Sequence, residues 1–152
     1  MVKILFICHG NICRSPMAEY YMKHIVRAAG LEKKYVIESR ATSTEELGNS
    51  IYPPARKELK SHGIGCDGHR SRQLKRSDYD AFEYLIVMDT ANVRNTERIC
   101  GGDPEGKIHM LLEYANRPGE SVADPWYTRD FGRTWEDVSE GCDCLLEFLE
   151  SL

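Results

Sequence analysis

Apolar residues fall along this chain in two rhythms. Lys3 to Ile7 and Tyr84 to Met88 are apolar without alternation, the pattern of strands buried on both faces. Tyr35 to Arg40 opens on Tyr-Val-Ile and turns polar, and Lys107 to Leu111 is a fourth short run; both predict strands. Between them the apolar positions recur at helical spacing. Met17, Tyr21, Ile25 and Ala28 make one face, with Ser15 as the expected N-cap, Pro16 at the first helical position and Gly30 as the stop.

Pro53-Pro54 opens a second helix to about His62, closed by Gly63, after a loop from Ala41 to Tyr52. Tyr79 to Phe82 predicts a short helical turn. Asp89-Thr90 caps a helix to about Ile99, ended by Gly101-Gly102. Glu113 to Arg133 is long, polar and rich in turns, and a connection of that length inside a compact domain is usually functional. Thr134 begins the last helix, with Trp135, Val138, Cys142, Leu145 or Leu146, and Leu149 on one face.

Strands alternating with helices predict parallel pairing, right-handed crossovers and helices on both faces of the sheet. The expected fold is a three-layer α/β sandwich. In such sheets ligands bind beyond the carboxyl ends of the strands. The end of the first strand carries "CHGNICRSP", residues 8 to 16.

That stretch has the residue types of an anion cradle. A strand-to-helix turn points backbone N–H groups inward and adds the partial positive charge of a helix N-terminus. Gly10 and Asn11 tolerate the left-handed backbone such a nest requires. Arg14 offers a planar fork for two phosphate oxygens. Cys8 lies at the base of this field, where a thiolate is favoured over a thiol, and the Ser15 hydroxyl is placed to donate to it. The alternative is an ordinary turn holding an inert cysteine. "ADPWY", residues 123 to 127, adds Asp124 as a proton donor in the late loop, stiffened by Pro125, with Trp126 and Tyr127 to flank an aromatic ring.

Composition narrows the field further. The 152 residues carry a net charge of −4, which fits one domain, residues 1–152, and argues against a nucleic-acid binder or an anionic-membrane binder. No apolar run approaches the ~18 residues of a membrane span, and the apolar start is too short for a signal-peptide core, so the expected location is cytoplasmic. Six cysteines without a Cys-x-x-Cys pair give no zinc pattern, and no metal is expected. Cys66 and Cys100 read as structural, and Cys142 and Cys144 cannot share one helix face. His24, His62 and His109 have no evident partner in the sequence.

"CHGNICRSPMAE" and "DPWY", together with "ATSTEELGN", "HRSRQL" and "MDTAN", resemble the low-molecular-weight protein tyrosine phosphatases over essentially the whole chain. The resemblance implies a four-stranded parallel sheet of order 2-1-3-4 and a hydrolase working through a cysteinyl-phosphate without cofactor or metal. Cys8 would be the nucleophile. The amides of His9, Gly10, Asn11, Ile12, Cys13 and Arg14, with the Arg14 side chain, would hold phosphate, and Asp124 would be acid and then base. Asn11, Ser15 and Ser39 would brace the loop, and His69 and Asp89 would form a supporting pair. Cys13 would protect Cys8 by forming a disulfide on oxidation. The implied substrates are phosphotyrosine-containing proteins, met by a monomer or a weakly self-associating chain.

Two positions depart from that pattern. His9 stands where many relatives carry an apolar residue or Thr, and Glu45 where several place an aromatic wall. With Trp126 and Tyr127 they are the expected substrate pocket, and Glu45 is expected to disfavour acidic peptides. Three other readings share the loop: a thiol-coupled arsenate reductase, a protein arginine phosphatase and a non-catalytic phosphate-binding module. The first would need a closely spaced cysteine pair in the eighties, which Cys66 and Cys100 match poorly. The second tends to carry Thr at the place of Ile12. The third has no use for Cys8 or Asp124.

Overall fold

The computed structural model describes residues 1–152. Strand β1 (Val2–Cys8) leads through the loop of residues 9 to 13 into α1 (Arg14–Ala28). There follow β2 (Tyr35–Ala41), α2 (Pro53–Ser61), α3 (Arg76–Ala81), β3 (Tyr84–Val87), α4 (Thr90–Cys100) and β4 (Ile108–Met110). A single 3-10 turn (Leu111–Glu113), α5 (Pro125–Thr128) and α6 (Phe131–Glu150) complete the chain. The sheet is parallel throughout and its order is β2-β1-β3-β4, as expected.

The alternation of side chains along β1 decides what lies on each face. Ile4, Phe6 and Cys8 belong to the apolar cluster built with α1, α2 and α6; Leu5 and Ile7 belong to the cluster that holds Tyr79 of α3 and Cys100 of α4. The result is three layers. The chain runs from β1 to β2 on one side, then crosses back from β2 to β3 on the other side of β1, so the strand order reverses beside β1. A crevice opens there, and Cys8 is the last residue of the strand. No helix is long and apolar enough to cross a membrane.

Several local expectations are corrected. Ser15 is not the cap of α1: the helix starts at Arg14, Cys13 holds the N-cap position without a side-chain cap bond, and the Ser15 hydroxyl is engaged elsewhere. The buried face of α1 is Met17, Ala18, Met22 and Val26, while Ala28 is exposed and Tyr21 and Ile25 only half-buried. The helix lies between the sheet and α6, and that sets its rotation. The last helix starts at Phe131, three residues before Thr134, because Asp130 caps it by accepting from the Arg133 amide at 3.0 Å. Within the long late connection, Asp124 caps the short α5. Cys142 is fully buried and Cys144 half-exposed, in line with their separate faces.

Gly141 of α6 packs directly against Leu111. A Cβ there would sit 2.5 Å from Leu111 Cγ, and Leu111 is completely buried. Gly141→Ala gains roughly 1 kcal/mol of helix propensity but overpacks by about 1–3 kcal/mol. The expected outcome is a net loss, seen as a lower Tm in thermal unfolding. In a Leu111→Ala background the same substitution is expected to stabilise; a loss of equal size in both backgrounds contradicts this packing.

Candidate active site

Every carbonyl of the loop after β1 has a partner. Cys8 O accepts from Thr42 N (3.0 Å), His9 O from Ser43 N (3.0 Å), Ile12 O from Tyr52 N (2.9 Å) and Cys13 O from Met17 N (3.1 Å). The other two are held by side chains: Gly10 O by the Ser71 hydroxyl (2.8 Å) and Asn11 O by His69 Nε2 (2.9 Å). A carbonyl can only accept, so His69 carries its proton on Nε2. None of these six partners lines the cavity of about 380 Å³ that the loop encloses. All peptide bonds are trans, so a carbonyl turned away sends the next N–H the opposite way. The amides of residues 9 to 14 therefore face the cavity, and those of His9, Gly10, Ile12 and Cys13 donate to no group of the protein.

Cys8 forms the floor and is 3% exposed. Its sulfur lies 3.0 Å from Ser15 Oγ, 3.3 Å from the Asn11 amide and 3.4 Å from the Ser15 amide. The direction of the hydroxyl bond follows from its neighbours. Asn11 Nδ2 can only donate, and it does so to Ser15 Oγ (2.7 Å) and to Ser39 Oγ (2.8 Å). Each hydroxyl must then turn its hydrogen elsewhere: Ser39 donates to Glu19 Oε1 (2.5 Å) and Ser15 to the Cys8 sulfur. The sulfur thus accepts three hydrogen bonds, the environment of an anion.

Asn11, not Gly10, adopts the left-handed backbone, at φ 58°. Asn is among the few non-glycine residues that occupy this region readily. Its carboxamide oxygen accepts from the Arg72 amide at 3.2 Å, so the side chain is bonded on both sides. Gly10 has a different reason to be small: a Cβ there would lie 3.4 Å from Glu46 Cγ.

Arg14 is 3% exposed. Its Nη1 is committed to Asp89 Oδ2 (2.8 Å) and the Val122 carbonyl (3.2 Å), and Nη2 lies 3.4 Å from Asp124 Oδ2. This leaves the Nε–Nη2 edge for an anion. Burial works against the Arg14 charge, but Cys8, Asp124 and Asp89 outweigh it and raise the group further above its ordinary value. Asp89 is itself fixed as the cap of α4, accepting from the Asn92 amide at 2.7 Å. The expected pairing of His69 with Asp89 is therefore corrected: His69 holds the loop carbonyl and Asp89 holds Arg14, each as a separate support. Asp124 is oriented by accepting from the Trp126 amide at 3.0 Å.

His9 and Glu45 meet at the mouth. His9 Nε2 and Glu45 Oε2 are 2.9 Å apart, both largely exposed, with Glu46 on the same lip. Across from them stand Trp126, 43% exposed, and Tyr127, 83% exposed. Trp126 packs on Tyr52 at 5.0 Å between ring centroids, and the Arg129 guanidinium lies over its ring at 5.7 Å.

Cys13 lines the same cavity, yet burial, with Cys8 and Asp124 nearby, pushes its thiol up to about 12. No group of three or more metal-ligating side chains is clustered to hold an ion. Glu19, Glu46, Tyr52 and Ser71 carried no role in the sequence reading. Glu19 alone had a signal: it follows Ser15 by one helical turn, so both face the loop.

The family model described as low molecular weight phosphotyrosine protein phosphatase matches residues 3–152. The low molecular weight protein-tyrosine-phosphatase YfkJ of Bacillus subtilis is 34% identical over 99% of this chain and 97% of its own length, and its crystal structure superposes with a TM-score of 0.95. The low molecular weight phosphotyrosine protein phosphatase of Gallus gallus is 36% identical over 95% of this chain and 93% of its own. The crystal structure of SP-PTP, a low molecular weight protein tyrosine phosphatase of Streptococcus pyogenes, is 41% identical, covers 98% of this chain and 93% of its own, and has a TM-score of 0.87.

Brief treatment with iodoacetamide at neutral pH, followed by peptide mapping, is expected to modify Cys8 first and leave Cys13 and the fully buried Cys142 untouched. Inorganic phosphate is expected to slow that reaction. Labelling that ignores phosphate, or that starts at Cys13, contradicts the geometry.

Proposed function

The chain belongs to the low molecular weight phosphotyrosine protein phosphatase family, and on that premise we propose that it hydrolyses phosphotyrosine monoesters through a cysteinyl-phosphate on Cys8. The observation that carries the reading is the outward tethering of all six loop carbonyls around a sulfur that accepts three hydrogen bonds. A phosphate dianion entering the cavity meets inward amides and the free edge of Arg14. These stabilise charge on the equatorial oxygens as the transition state forms.

The Cys8 sulfur attacks phosphorus; the S–P bond forms as the bond to the phenol oxygen breaks. Asp124 gives its proton to that oxygen, and tyrosine departs. Asp124, now a carboxylate, takes a proton from water as the water oxygen attacks phosphorus. The P–S bond breaks, inorganic phosphate leaves and the sulfur anion is restored. Trp126 and Tyr127 flank the substrate ring. When an oxidant such as hydrogen peroxide converts Cys8 to a sulfenic acid, the Cys13 thiol condenses with it, releasing water and forming a disulfide. We read residues 1–152 as one phosphatase domain acting on phosphotyrosine proteins in the cytoplasm, as a monomer or with weak self-association.

Turnover of phosphotyrosine, phosphoarginine and arsenate, each with wild type and Cys8→Ser, separates this reading from its rivals. Phosphotyrosine hydrolysis abolished by Cys8→Ser is expected; preferential turnover of phosphoarginine or arsenate overturns the reading. Asp124→Asn is expected to slow a poor leaving group such as phenyl phosphate by about 10²-fold or more and p-nitrophenyl phosphate much less. Equal slowing removes Asp124 from the acid role.

Glu45 and Glu46 make the lip acidic. Glu45→Gln is expected to raise kcat/KM for a phosphotyrosine peptide flanked by Glu, relative to a neutral peptide, by roughly two- to fivefold. Added salt should shrink the difference. An unchanged ratio excludes Glu45 as a specificity determinant.

A further inference from the structure

Four of the six loop carbonyls are held by backbone amides, which no substitution of a side chain removes. Only Gly10 O and Asn11 O depend on side chains, from Ser71 and His69. The peptide between Gly10 and Asn11 matters most among these units, because its N–H is the one that donates to the Cys8 sulfur, at 3.3 Å.

This peptide has a second orientation within reach. Asn11 sits at φ 58°. A half-turn of the peptide plane changes the flanking ψ and φ together and carries Asn11 to a φ of about −120°, a broadly allowed region. Gly10 has no side chain to obstruct the rotation. The flip replaces an N–H aimed at the sulfur with a carbonyl oxygen, turning attraction into repulsion for both the sulfur anion and a bound phosphate.

We propose that Ser71 is a positioning residue of the phosphate cradle, its hydroxyl locking the Gly10–Asn11 peptide so that the Asn11 amide faces the sulfur and the bound phosphate. The hydroxyl is well supported for that task. Ser71 is 3% exposed. Its amide donates to Asn49 O at 2.8 Å, and its carbonyl accepts from Gly48 N at 2.9 Å. The turn that carries the acidic lip thus supports the lock: Asn49 N donates to Glu46 O at 3.0 Å, and the Glu46 side chain packs over Gly10. One residue joins the lip of the pocket to its floor.

The inference rests on the phosphatase reading for the identity of the anion, and its test reads anion binding without turnover. Inorganic phosphate is titrated into the full-length 15N-labelled protein, as wild type, Ser71→Ala and Ser71→Cys. Ser71→Ala is expected to weaken phosphate binding about fivefold, the worth of one hydrogen bond, and to move the Asn11 amide resonance more than those of His9 or Ile12. Ser71→Cys keeps the volume but donates weakly, and is expected to fall with alanine. Phosphate affinity and an Asn11 resonance unchanged in Ser71→Ala overturn the proposal, as does a Ser71→Cys protein that binds like wild type. Either result leaves the phosphatase reading standing. Failure of the wild type to hydrolyse phosphotyrosine removes that reading and leaves the peptide lock to be judged by the titration.

Discussion

The site depends on one buried carboxamide. Asn11 is fully buried, in a left-handed backbone, with both hydrogens of Nδ2 spent on hydroxyls and its oxygen bonded to a backbone amide. Because an amide nitrogen cannot accept, these bonds set the sense of the whole chain of hydrogen bonds. Ser39 must point to Glu19 and Ser15 to the sulfur. A residue of similar size without two donors leaves Ser15 free to accept instead, and the sulfur loses its nearest donor. Buried networks of this kind gain specificity only when every member is satisfied.

The sheet explains why such a network forms where chemistry can use it. Alternation along β1 turns Cys8 to the α1 face, and the reversal of strand order opens a crevice beside it. The segments that follow β2 and precede α3 then wrap the loop and take up its carbonyls. A chain with a net charge of −4 can build an anion site this way, since oriented amides at short range outweigh distant surface charge. Arg14 is the one full positive charge buried in that cavity, and Asp89 fixes its orientation.

Much of this was legible in the sequence, for a physical reason. Strand β1, the loop and the start of α1 are contiguous, so "CHGNICRSP" already carried the cysteine sulfur, the cradle and the guanidinium. Strand order followed from the resemblance, and Asp124 from its setting between a turn-rich loop and two aromatics. The partners of those groups were not legible. Ser39 meets Asn11 across 28 positions and Asp124 meets Arg14 across 110, and no local pattern records such meetings. Ser15 read as a helix cap because caps and sulfur donors use the same residue type. The α1 face was displaced by one residue because a helix packed on two sides has no single apolar stripe. Ser71 and the separate duties of His69 and Asp89 emerge only when each carbonyl and each guanidinium nitrogen is accounted for in turn.

In the proposed mechanism the cradled Cys8 sulfur attacks phosphorus and carries the phosphoryl group between two steps. The most direct test is to mix Asp124→Asn with p-nitrophenyl phosphate, quench in acid within the first turnover and map the phosphopeptide by mass spectrometry. The account predicts close to one phosphoryl group per chain, on Cys8, with release of an equal amount of p-nitrophenol. A burst with no protein-bound phosphate, or phosphate on any other residue, contradicts it.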